Sequence, residues 1–89
     1  MANDADYLHA FTRLARIYEA VGVFLKEDLM NIRLLALYDT TGTIHYWERY
    51  RDIIYEQRNR RNTKRSWDMW EYTYDTLRAY LEEHPELKT

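Results

Sequence analysis

Between Thr43 and Asn59 the chain reads Thr-Ile-His-Tyr-Trp-Glu-Arg-Tyr-Arg-Asp-Ile-Ile-Tyr-Glu-Gln-Arg-Asn. Wound as a helix, Tyr46, Trp47, Tyr50, Ile53 and Ile54, flanked by Ile44 and Tyr55, cover an arc of roughly 200°. A helix resting on one neighbour needs a stripe of only about 100°. This one is expected to be walled in on two sides by the rest of the chain. His45, Glu48, Arg49, Asp52 and Glu56 fill the remaining arc and belong to water.

The walls must come from a small molecule. Eighty-nine residues form a single domain, residues 1–89, with marginal stability in which every large side chain counts. Those side chains are nine Tyr and three Trp against two Phe. Tyr and Trp have an apolar body and a polar tip, which suits both a small core with wet edges and a contact surface. There is no cysteine, which excludes disulfides and thiolate metal sites and fits a reducing cytoplasm. The first residues, Met-Ala-Asn-Asp-Ala-Asp, lack the features of a signal peptide. Apolar runs fall far short of the roughly 18 residues that cross a bilayer. A soluble, cytoplasmic protein with no membrane contact is expected.

Three further helical patterns flank the central one. Asn3 or Asp4 can cap a first helix, with Asp6 favourable in its first turn. Leu8, Phe11, Leu14, Ala15, Tyr18 and Val21 then recur at helical spacing, and Gly22 is expected to end the helix. Asp28 is a plausible cap for a short second helix, in which Leu29, Met30, Ile32, Leu34, Leu35, Leu37 and Tyr38 point all round the wheel. A helix apolar on every side reads as buried. Asp39-Thr40-Thr41-Gly42 reads as a turn, after which Thr41 or Thr43 caps the central helix. Ser66 is expected to cap the last helix, whose seam is Trp67, Trp70, Tyr74, Leu77 and Leu81, and His84-Pro85 ends it. Two Gly and one Pro are too few for the turns of an all-β fold. The expected fold is all-α: a compact four-helix bundle with a short, buried second helix. Its expected core is Phe11, Leu14, Tyr18, Leu34, Trp47, Tyr50, Ile54, Trp70, Tyr74 and Leu77.

Two of these helices carry a resemblance. Ile44-His45-Tyr46-Trp47-Glu48-Arg49-Tyr50 resembles the pattern "two small or apolar residues, Arg-Tyr-Trp-Glu-Arg-Leu" of an uncharacterised prokaryotic and viral family, domain of unknown function 4760. Ile17-Tyr18-Glu19-Ala20-Val21-Gly22 is similar to that family's upstream element, and Trp70-Glu71-Tyr72 to the start of its last helix. The resemblance spans roughly residues 11–81. It departs at His45 and at the first of an acidic pair. It implies the helical fold and attaches no activity.

The sharpest candidate site is a basic run. Arg58, Arg60, Arg61, Lys64 and Arg65 place five positive charges and no acid within eight residues. Removing those five from a formal charge of −2 leaves −7 on everything else. Flexible cations beside Trp67 could hold phosphates and stack a base. A solvated connector is the plainer reading, and an acidic protein partner is the third. The net acidity opposes approach to duplex DNA.

Other candidates are thinner. His45 and Glu48 have a metal-bundle spacing but lie on the wet arc, so no metal ligand is expected. The chain has one serine and no Gly-rich loop, so neither catalysis nor a cofactor is expected. The acidic faces Glu48, Asp52, Glu56 and Asp68, Glu71, Asp75, Glu82 could imitate a phosphate backbone, as in a small viral inhibitor of a host protein. Tyr72 faces away from its seam and is the candidate exposed anchor. The expected function is therefore a non-catalytic protein–protein interaction module, self-association being one form of it. A nucleic-acid-binding module using residues 58–65 is the alternative.

Overall fold

In the computed structural model, residues 4–63 and 65–88 are described. Asn3, one of the expected caps, and Lys64 of the basic run lie outside these residues, as does the side chain of Asp4. The chain forms α1 (Asp4–Lys26), α2 (Ile32–Arg60) and α3 (Asp68–Glu83), followed by a single 3₁₀ turn, Pro85–Leu87. No strand occurs among the described residues. The fold is all-α as expected, but the described residues form three helices rather than four, so the four-helix bundle is overturned.

The count falls because the expected second and central helices are one. Asp39 has non-helical backbone angles (φ −155°, ψ 60°), yet α2 continues through it as a kink. Its carboxylate Oδ1 accepts the Gly42 backbone N–H at 3.0 Å, which makes Asp39 the N-cap of the second half. Thr40 and Thr43 donate their hydroxyls to the carbonyls of Ala36 (2.6 Å) and Asp39 (2.7 Å). The helix therefore bends and restarts at one residue, where the Asp-Thr-Thr-Gly stretch was expected to reverse the chain.

Two other expected boundaries move for similar reasons. Gly22 does not end α1. It sits where α1 and α3 meet, and a Cβ there would fall on the Met69 carbonyl oxygen and within 2.8 Å of the Met69 carbonyl carbon and Thr73 Oγ1. The helix ends at Lys26, where Leu29 N–H bonds to Phe24 O (2.8 Å) and Asp28 N–H to Leu25 O (3.3 Å). Those two bonds are the Schellman pattern, with Asp28 as its left-handed residue (φ 60°). Asp28 thus closes α1 rather than opening α2. The cap of α2 is Asn31, whose side chain accepts Arg33 N–H at 2.8 Å.

Packing centres on α3, which contacts both other helices more extensively than they contact each other. Trp70 is fully buried. Its ring stacks on Tyr18 (5.8 Å, 12° between planes) and meets Trp47 edge-on (5.7 Å, 70°), with Phe11 and Tyr50 completing the cluster. The Trp70 indole N–H has no hydrogen-bond acceptor in this cluster. A second cluster joins Ala36 to Leu77 and Leu81. Trp47 and Ile54 are buried, and His45, Glu48, Arg49, Asp52 and Glu56 are exposed, as the wheel required.

The expectation of a buried second segment fails. Of residues 29–38 only Leu35 and Ala36 are buried, while Leu34 is 61% and Tyr38 90% exposed. Three helices leave nothing to cover the far side of this segment. Leu34 is accordingly not a core residue.

Candidate interaction surface

The uncovered side of α2 faces the same way as part of α1. Ile17 and Val21 of α1, Met30 of the connector, and Leu34, Leu35 and Tyr38 of α2 line a groove of about 350 Å³. Ile17 is half exposed, Phe24 and Leu37 are exposed, and so is Leu29. One polar pair sits in the groove: Tyr18 donates its hydroxyl to Asp39 Oδ2 at 2.8 Å. Burial, and then the Asp39 carboxylate, push the Tyr18 phenol well above its ordinary range, so it remains a neutral donor. The groove is apolar, with one hydrogen-bonded pair at the kink.

The basic run is divided by the fold. Arg58 and Arg60 lie in the last turn of α2. The Arg58 side chain, 14% exposed, pairs with Glu71 (2.7 Å), donates to the Ser66 carbonyl (2.9 Å) and covers the Tyr55 ring. Arg60 pairs with Glu56 one turn away. Arg61 and Arg65 are exposed in the connector. A shallow depression of about 560 Å³ is lined by Arg58, Asn59, Asn62 and Thr63. These cations do not converge on one point.

Tyr72 is half-buried rather than exposed, with the Lys26 ammonium 5.6 Å from its ring centroid. It lines a small depression with Leu25, Met30 and Ile32, which adjoins the apolar groove at Met30. On the acidic side of α3, Glu71 is already paired with Arg58. Burial, and then Glu71, raise the Asp75 carboxyl above the usual range. Glu48 accepts the Tyr74 hydroxyl at 2.6 Å, while His45 packs edge-on against Tyr46. Among the described residues no three His, Asp or Glu side chains gather as a metal would need. No helix among the described residues is long and apolar enough to cross a membrane.

The chain matches no family model, no curated protein and no solved structure. The surface itself is therefore the guide to function. Sequence reasoning passed over Ile17, Leu34 and Tyr38 as surface residues. The available signal was the mismatch between an all-apolar segment and a chain too short to surround it.

Proposed function

We propose that this chain is a non-catalytic protein–protein interaction module acting through the apolar face shared by α1 and the first half of α2. The observation that carries this reading is the exposure of Leu34 and Tyr38, at 61% and 90%, on the rim of an apolar groove. A single exposed apolar side chain is ordinary, but a contiguous patch of several hundred Å² marks a contact surface. An aromatic beside aliphatic neighbours is also the composition of interface anchors. The basic connector supports nucleic-acid binding less, because Arg58 and Arg60 are already paired within the chain.

A photo-crosslinking side chain placed at position 38 of the full chain tests this. Irradiation in an extract of producing cells should give one defined polypeptide adduct. Excess wild-type chain should compete it away, and excess Leu34→Glu chain should not. The same label at position 52, on the polar arc, should give no such adduct. Absence of any competed adduct at position 38 would overturn the reading.

A further inference from the structure

The exposed side of α1 is not uniformly apolar, and its charges have an order. Opposite the buried line Phe11, Ala15, Tyr18, Gly22 and Leu25 runs an exposed seam of Arg13, Ile17, Ala20, Phe24 and Glu27, at three- and four-residue spacing. Arg16 flanks the basic end, and Asp28 follows the acidic one. Among the described residues no ion pair reaches Arg13, Arg16 or Glu27. Arg13 and Glu27 stand seven residues either side of Ala20, about 10 Å each way.

We infer that the partner of this face is a second copy of the chain, its α1 packed antiparallel on the first about a two-fold axis at Ala20. This rests on the interaction reading above and names its partner. A two-fold operator brings residues equidistant from Ala20 to the same height, and those on the seam line into contact. Arg13 then meets Glu27 of the second copy, twice over. Arg16 comes beside Val23 and Glu27 of the second copy, adding to the charge match. Ile17 meets Phe24 of the second copy, both of them exposed. Ala20 meets itself, and its small side chain lets two helices approach to about 8 Å. A foreign partner would have to reproduce this antisymmetric order of charges, whereas a second copy carries it already.

Area agrees. Ile17, Val23, Phe24, Leu34 and Tyr38 are each between 42% and 90% exposed, so two copies together offer apolar surface on the scale of the roughly 1,000 Å² that a specific interface must clear. The adjacent groove receives the flank of the second α1 against Leu34 and Tyr38.

Sedimentation equilibrium of the full chain over a wide concentration range tests the dimer. The wild type should show a monomer–dimer equilibrium. Ala20→Arg, which sets two cations on the axis, should leave only monomer with unchanged helical circular dichroism. Arg13→Glu and Glu27→Arg should each weaken association roughly tenfold or more. The double variant R13E/E27R restores both pairs and should restore the dimer. A wild type that stays monomeric, or a double variant no better than either single one, overturns the inference. The position-38 adduct separates the two readings. A competed adduct of twice the chain's mass supports both, one to a different polypeptide sinks the dimer alone, and none sinks both.

Discussion

Glu19, in the middle of α1, accepts the backbone N–H of Trp70 at 2.8 Å and so caps a helix to which it does not belong. The start of α3 needs this. Trp67 enters it in the left-handed conformation (φ 57°), with no side-chain cap of its own. The first donors of any helix lack partners within it, and here the neighbouring helix supplies one. Docking of α1 and the start of α3 are therefore coupled.

Replacing the Glu19 acceptor should show this coupling. Glu19→Ala removes it and should cost about 1 kcal/mol in urea denaturation. Glu19→Gln keeps an oxygen acceptor without the charge. Burial, the largest influence on the Glu19 carboxyl, raises its pKa, so the ionised form is less favourable in the fold than in the unfolded chain. The corresponding stability is full below about pH 4.3 and is lost as pH climbs through the raised value. Glu19→Gln should accordingly match or exceed the wild type at neutral pH and lose that advantage in acid.

Gly22 gives a prediction of opposite sign to the usual one. Glycine to alanine inside a helix ordinarily stabilises by about 0.5–1 kcal/mol. Here the added methyl would strike the Met69 backbone and Thr73 Oγ1, and the backbone cannot swing aside. Thr73 is itself held, its hydroxyl lying 2.9 Å from the carbonyls of both Tyr18 and Met69. Gly22→Ala should cost at least about 3 kcal/mol or prevent folding, which a thermal melt would read directly. Unchanged stability would mean that the two helices are not in such close contact.

Gly22 also shows why part of the fold was hidden. A glycine after an apolar periodic run suits a helix end and a close helix crossing equally, and only the neighbour decides. Asp39-Thr40-Thr41-Gly42 is ambiguous in the same way, since a cap and a turn share their residues. Leu34 was misplaced because a helical wheel reports which faces are apolar but not how many walls exist to cover them. Where one face was apolar and the other charged, as around Trp47, inside and outside were both legible. The candidate surface was not, because it is made of residues whose chemistry resembles that of a core.

Arg58 separates structural from free cations within the basic run. It joins the end of α2 to Glu71 of α3, bonds the connector at Ser66 and covers Tyr55. Arg58→Ala should cost about 1–2 kcal/mol in urea denaturation. Lysine at this position keeps the charge but cannot reach two acceptors in a plane while covering a ring, so it should fall between. Arg61→Ala and Arg65→Ala, both at exposed positions, should change stability by no more than about 0.5 kcal/mol. Equal effects at all three positions would contradict the division.

Tyr18 and Asp39 together make the fold sensitive to base. The phenol donates to the carboxylate that also caps the second half of α2, so ionising it would set two negative charges side by side at the kink. Burial and Asp39 hold the Tyr18 pKa well above the usual value of about 10. The sign follows from linkage. Between the unfolded and folded values the native chain holds a proton that the unfolded chain releases, so stability is complete below about pH 10 and declines as pH rises further. Tyr74 acts in the same direction, its phenol raised by burial and then by its bond to Glu48. Tyr18→Phe should therefore be about 1 kcal/mol less stable at neutral pH, where it lacks the hydrogen bond. Its stability should then fall less steeply than the wild type's towards about pH 11, with Tyr74 supplying the slope that remains. Urea denaturation at stepped pH would measure both quantities. Parallel curves for the two proteins would show that the Tyr18 phenol ionises as readily in the fold as outside it, against the burial seen at the kink.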